Sequence, residues 1–226
     1  MRDGAWGWGA VFLDFDNDGD LDLAMTNGLD VEHTTIDDAF NDDPMRVWEN
    51  DGTGVMTEVA EAVGVDDSGS GKGLVTFDYD DDGDLDLFVV NNASEPRLYR
   101  NDAPRRNRWL RLRVEGVETN RDSIGARVTV WPRRDSAPQV REVGVASHFL
   151  GQSEPVLHFG LGPGHRRVHR VRVEFPASGR TIERRWLRAN RTYRVREDAR
   201  RCGRLGGETA LALVPLLWPG RRRSGS

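Results

Sequence analysis

Apolar and polar positions alternate with a period of two along much of the chain, the spacing of strands and not of helices. In the first hundred residues the apolar runs are short: VFLDF, LDLAMT, LVTFDY and LDLFVV. They are rich in β-branched and aromatic residues and bounded by Gly and Asn. Beyond residue 107 the runs are WLRLRV, ARVTVW, VREVGV, VLHFGL, VRVEF and TYRVRE, with Arg at one set of alternate positions and aliphatic residues at the other. This pattern predicts half-buried antiparallel strands of a β-sandwich. No stretch of the first part sustains helical spacing, so the expected fold class is all-β.

The first part contains an internal repeat. GWGAVFLDFDNDGDLDLAMTNG, residues 7–28, aligns with GKGLVTFDYDDDGDLDLFVVNN, residues 71–92, at a constant offset of 64. Each copy is followed by a second matching strand, RVWEND from Arg46 and RLYRND from Arg97, at an offset of 51. The first copy therefore carries 13 extra residues, in the polar segment around LDVEHTTIDDAFNDD.

Charge divides the chain at the same place as the strand pattern. The 226 residues carry a net charge of −5, but residues 1–106 hold 26 acidic and 7 basic residues, giving −19, and residues 107–226 hold 11 and 25, giving +14. The first part suits cations; the second suits anions or the first part itself. Three segments are expected: a repeat unit over 1–104, a β-sandwich over 107–197 and a tail over 198–226. The stretch NDAPRRN, residues 101–107, has the composition of a linker. A single cysteine, Cys202, excludes an intramolecular disulfide and a Cys-rich zinc site. The basic residues are all Arg except Lys72, a bias that speaks of a GC-rich genome and not of nucleic-acid binding.

The acidic clusters carry the most specific chemistry. Each reads Asp-x-Asp-x-Asp-Gly-x-x-Asp: Asp14, Asp16, Asp18 and Asp22 in one, Asp78, Asp80, Asp82 and Asp86 in the other. Alternate carboxylates on a tight loop converge, and Gly19 or Gly83 supplies the turn that lets the carbonyl of Asp20 or Asp84 join them. Hard oxygen ligands in that number suit calcium better than magnesium. An EF-hand is excluded, because its twelfth-position Glu falls on Met25 and Val89 and the flanks read as strands. Two calcium ions, mainly structural and binding independently, are the expected cofactors.

These residues resemble a known repeat. GWGAVFLDFDNDGDLD, followed by a strand and RVWENDGTGVMTEVAEAVGV, is similar to the FG-GAP or VCBS repeat of β-propellers, whose acidic calcium loop joins adjacent strands of a blade. The resemblance implies a partial propeller of about two blades, the C-terminal end of a longer protein, with Trp6 and Trp8 in its interior. An open propeller edge of this kind invites self-association. The segments NRWLRLRVEGVETNRDSIGARVTVW, QVREVGVASHFLGQSEPVLHFGLG and VHRVRVEFPASGRTIERRW resemble the ASPIC/UnbV domain, which follows FG-GAP repeats in a family of such proteins. That family brings no established reaction with it.

Catalytic candidates are few. His148, His158 and Glu154 with Ser147 or Ser153 are the one local mixture of nucleophile, base and acid. His158 alternates with Leu157 and Phe159 and reads as a strand-surface residue, and His148 as a loop residue. The Arg positions from 108 to 196, Arg111 and Arg113 among them, read as an exposed basic face for an acidic polysaccharide or protein, or as a docking surface for the acidic repeats. In the tail, Cys202, the apolar ALALVPLLW and Arg221 to Arg223 resemble a bacterial surface-sorting segment, and nine apolar residues are too few to span a bilayer. The first ten residues lack the apolar run of a signal peptide, so an export signal is expected upstream. The chain reads as an extracellular or bacterial cell-surface recognition or adhesion module. Part of a polysaccharide-active enzyme, or a structural cap bearing a sorting tail, are the competing classes.

Overall fold

A computed structural model of the chain describes residues 6–29, 40–41, 43–65, 67–102, 106–145 and 147–198, the side chains of Ser147 and His148 excepted. The tail readings therefore lie outside the described residues. The fold is all-β, as the alternation predicts, with one four-residue helix.

The repeat becomes two sheets of matching order. In the first, β1 (Ala10–Leu13), β2 (Asp22–Met25), β3 (Arg46–Asn50) and β4 (Met56–Glu58) form an antiparallel meander. The helix α1 (Ala60–Val63) follows and is closed by Gly64 at φ +75°. In the second sheet, β5 (Ser70–Phe77), β6 (Asp86–Asn92) and β7 (Arg97–Tyr99) repeat the first three strands. The second and third strands start where the sequence offsets place them: Asp22 and Asp86 open the second strand of each sheet, Arg46 and Arg97 the third. The sheets share a core of Val11, Leu13, Met45, Val47, Leu74, Leu87 and Val89. Trp6 departs from expectation, being 37% exposed against Phe40. Trp8 is half-buried, donates its indole N–H to Gly28 O at 2.8 Å and lies under the Lys72 ammonium.

The Arg-rich part forms two facing sheets. One has the order β10-β9-β14-β15, from β9 (Arg127–Trp131), β10 (Gln139–Glu142), β14 (Arg167–Phe175) and β15 (Arg180–Arg188). The other has the order β13-β8-β16, from β8 (Asn107–Glu115), β13 (Val156–Pro163) and β16 (Arg191–Arg196). A two-stranded hairpin of β11 (Ser147–His148) and β12 (Gly151–Gln152) precedes β13. Alternation decides what lies between the sheets: Leu110, Leu112 and Val114 of β8 face Val128 and Val130 of β9 and Val171, Val173 and Phe175 of β14 in a continuous core. Pairing is antiparallel throughout this unit except that β16 runs parallel to β8, Arg191 opposite Leu110 and Arg196 opposite Glu115. At the far end of that pair Glu197, 1% exposed, accepts the backbone N–H groups of Val117, Glu118 and Thr119 at 2.8–2.9 Å. Burial alone would raise its pKa, but these bonds and those from Ser178 and Thr119 hydroxyls hold it down to about 2.

Candidate metal centre

Each acidic loop joins the first two strands of its sheet, and the two have nearly the same internal wiring. Asn17 and Asp81 occupy equivalent positions with φ of +63° and +58°, followed two residues on by Gly19 and Gly83 at +109° and +96°. These left-handed turns wind each loop tightly enough for its own N–H groups to reach the carboxylates. In the first loop Asp16 accepts from Asp18 N at 3.0 Å, Asp18 from Asp20 N at 2.8 Å, and Asp14 Oδ2 from Gly19 N at 3.1 Å. In the second, Asp82 accepts from Asp84 N at 3.0 Å, and Asp78 from Asp82 N and Gly83 N at 3.0 Å each.

Carboxylate oxygens of Asp14, Asp16 and Asp18 lie within 4.8 Å of one another, and so do those of Asp78, Asp80 and Asp86. The last acid of each motif also braces the backbone. Asp22 is 1% exposed and accepts Phe15 N at 3.1 Å and Asn50 N at 2.9 Å; Asp86 does the same for Tyr79 N and Asn101 N at 2.8 Å each. The two asparagines come from the second repeat element, RVWEND and RLYRND, and each also donates its amide to its loop, Asn50 to Leu21 O and Asn101 to Leu85 O. Sequence reading quoted these motifs and gave them no role; their shared offset of 51 was the available signal. Asp84 is buried and accepts the Asn17 amide at 2.7 Å. Asp20 lies against Gly52.

Concentrated negative charge away from water must be neutralised by protons or by a cation. Burial, reinforced by Asp18, Asp16 and Asp22, pushes Asp14 up to about 8. Burial likewise takes Asp22 to about 7 against the pull of its hydrogen bonds, and raises Asp16, Asp18 and Asp86. Asp78 rises through burial to about 6, with the Arg111 guanidinium opposing. One oxygen of the first cluster, Asp14 Oδ1, is fully buried without a hydrogen-bond partner. An all-oxygen donor set with an unsatisfied buried carboxylate oxygen fits a hard divalent cation such as calcium.

The loops do not stand apart from the Arg-rich unit; they form its seat. Gly160 N donates to Asp14 Oδ2 at 2.9 Å, Gly162 N to Asn17 O at 2.9 Å, and the Asn107 amide to Asp16 O at 2.9 Å. A Cβ on Gly160 would overlap Asp14 and Asn17, and one on Gly83 would overlap the Trp109 ring, so both glycines are required by close approach. His158 is 8% exposed and pairs with Asn17 Oδ1 at 2.6 Å. Burial, then Arg111 and Arg141, lower its pKa to about 3, and it is neutral. Asn17 also donates to Gly83 O and Asp84 of the other loop, so the two loops are hydrogen-bonded to each other. Arg111, 4% exposed, pairs with Asp78 at 2.8 Å and with Glu154.

Two expectations are corrected here. Arg111 is no part of an exposed basic face, although Arg113 is exposed. His158 is buried, because the outer side of its strand is covered by the first acidic loop. Of the catalytic candidates, the side chains of Ser147 and His148 lie outside the described residues. Ser153, Glu154 and His158 line one cleft of about 370 Å³ between the units, but Ser153 bonds Thr76, Glu154 bonds Arg111 and His158 bonds Asn17.

The fold is that of an all-β protein, and residues 116–201 of its Arg-rich unit match the family model described as ASPIC and UnbV. The match omits β8, the strand that brings Trp109 and Arg111 to the loops. The chain is also similar to cartilage acidic protein 1 of Homo sapiens, 28% identical over 155 residues, covering 67% of this chain and 22% of the relative. The proteins of that name from Mus musculus and Xenopus tropicalis are 28% identical over 155 and 156 residues, each covering 67% of this chain and 23% of the relative. The chain thus spans less than a quarter of the length of the curated relatives it matches. Among the described residues no helix is long and apolar enough to cross a membrane.

Proposed function

We propose that this chain is a calcium-binding module of an extracellular or cell-surface protein, in which two FG-GAP/VCBS-type repeats of a partial propeller carry an ASPIC/UnbV domain on their calcium loops. The observation that carries the reading is the buried Asp14 carboxylate: it converges with Asp16 and Asp18, retains an oxygen without a partner, and has a counterpart at Asp78, Asp80 and Asp86. Asp14, Asp16 and Asp18 would hold one ion and Asp78, Asp80 and Asp86 the other, with Asp22 and Asp86 also bracing the loop backbone and Asp20, Asp82 and Asp84 on its periphery. The ion would supply positive charge where the loop concentrates negative charge; its role is structural. Because Gly160, Gly162, His158 and Asn107 bind the first loop, organising that loop also organises the domain seated on it. The extracellular setting is drawn from likeness to cartilage acidic protein 1, and recognition or adhesion is the activity we propose for it.

Titration calorimetry on the chelator-treated chain tests this. Calcium uptake in the range of about 0.1–1 mM is expected, with magnesium weaker and with Asp14→Asn plus Asp78→Asn abolishing it. No calcium uptake by a folded chain overturns the proposal.

A further inference from the structure

The two loops, alike in sequence, are unlike in their electrostatic company. In the first, the groups that the ASPIC/UnbV domain brings to Asp14 are neutral at close range: the Gly160 N–H at 2.9 Å, and His158, held uncharged beside Asn17. Arg141 acts on Asp14 only as a more distant charge. Asp14 Oδ1 is left buried and unpaired. In the second, the domain brings a full positive charge to the equivalent residue. Arg111 Nη1 sits 2.8 Å from Asp78 Oδ2 and 3.9 Å from Asp81 Oδ1, with 5% and 1% of the Arg111 and Asp78 side chains exposed. Asp78 has no spare oxygen: Oδ1 accepts Asp82 N, and Oδ2 accepts Gly83 N as well as Arg111.

A cation entering the second loop meets a guanidinium already paired with one of its ligands, and at that buried pair water screens the charges only weakly. We propose that Arg111 makes the calcium sites unequal: the first loop is the tighter site, and the second is held weak by a counter-cation that the ASPIC/UnbV domain itself supplies. Glu154 tunes the effect, because its carboxylate shares Arg111 with Asp78. Docking of the domain and filling of the second site are then antagonistic. A high-calcium medium would fill the second site at the expense of the Arg111–Asp78 pair, while the first ion leaves the seam intact. This inference rests on the calcium reading of the loops.

Calorimetry separates the two ideas. The wild-type chain should show two calcium affinities differing by about tenfold or more, with Asp14→Asn removing the tighter and Asp78→Asn the weaker. Arg111→Met should tighten the second site by about tenfold and leave the first within about twofold; Arg111→Lys should restore the weak site. Glu154→Gln, on a part-exposed side chain, should act oppositely and weaken the second site several-fold, a change that misfolding would not confine to one loop. Circular dichroism confirms that each variant is folded. Two equal affinities, or a second site indifferent to both Arg111→Met and Glu154→Gln, overturns the inference and leaves the calcium reading standing. No calcium uptake by any folded variant overturns both.

Discussion

The two sheets of the Arg-rich unit share one sequence pattern and have different fates. In β14 and β15 the alternating Arg positions face water: Arg172 pairs with Glu174 at 3.0 Å with both side chains well exposed, and Arg185 with Glu183 at 3.9 Å. In β8 and β13 four outward positions, Trp109, Arg111, His158 and Gly160, lie under the acidic loops, while Arg113 further along β8 stays exposed. An outward-pointing residue in a half-buried strand is solvated only if nothing else packs on that sheet. The same arginine is a nearly neutral decoration on one sheet and a buried charge with obligatory partners on the other.

The contrast can be broken most severely at the closest approach. Gly160→Val would drive a side chain into Asp14 and the Asn17 backbone, and a stability loss of about 4 kcal/mol or more is expected. Chemical denaturation measures it, and a loss below about 1 kcal/mol would mean the seam yields freely. Next comes the arginine comparison. Arg111→Ala strands Asp78 and Glu154 and should cost about 3–5 kcal/mol in chelator, with calcium recovering part of the loss, whereas Arg172→Ala should cost about 1 kcal/mol or less. Equal costs would erase the distinction between the sheets.

A pH series sharpens the comparison further. Asp14 has a folded pKa of about 8 against an ordinary 3.8, so without metal its contribution to stability is full below 3.8 and is lost as pH rises towards 8. Asp22 behaves likewise up to about 7. His158 has the opposite sign: with a folded pKa of about 3 against 6.5, it penalises the fold only as pH drops below 6.5. In chelator the melting temperature should therefore fall between pH 6.5 and 8, and calcium should abolish the fall. Asp14→Asn should flatten the chelator profile in that window. His158→Gln should give the smallest of the seam effects, about 1–2 kcal/mol, together with loss of the acid-side penalty below pH 6.5.

Much of the fold was legible because strand alternation and repeats are local properties. The offsets of 64 and 51 foretold three matching strands in each sheet, and VFLDF and LDLFVV lie where strands form. The acid spacing likewise marked both loops. What stayed hidden was the second face of β8 and β13, because burial there depends on a loop about ninety residues earlier in the chain, as the Asn107–Asp16 bond shows. Arg111 and Arg113 look alike in WLRLRV, and only tertiary packing separates them. The bracing asparagines were missed for another reason: Asn50 and Asn101 lack the charge that draws attention to metal ligands, yet their N–H groups hold Asp22 and Asp86 in place.

The parallel pairing of β16 with β8 gives the molecule a direction. Strand β8 starts at the acidic loops, where Asn107 and Trp109 touch them, and β16 runs beside it in the same sense, so the polypeptide departs past Glu197 at the opposite pole. An antiparallel last strand would have returned the chain to its starting point. Eight rises of about 3.3 Å along β8 place its far end roughly 26 Å from Asn107. The Arg-rich unit is consequently polar in build: one pole grips the acidic loops through Asn107 and Trp109, and the last described strand ends at the other, beside Glu197.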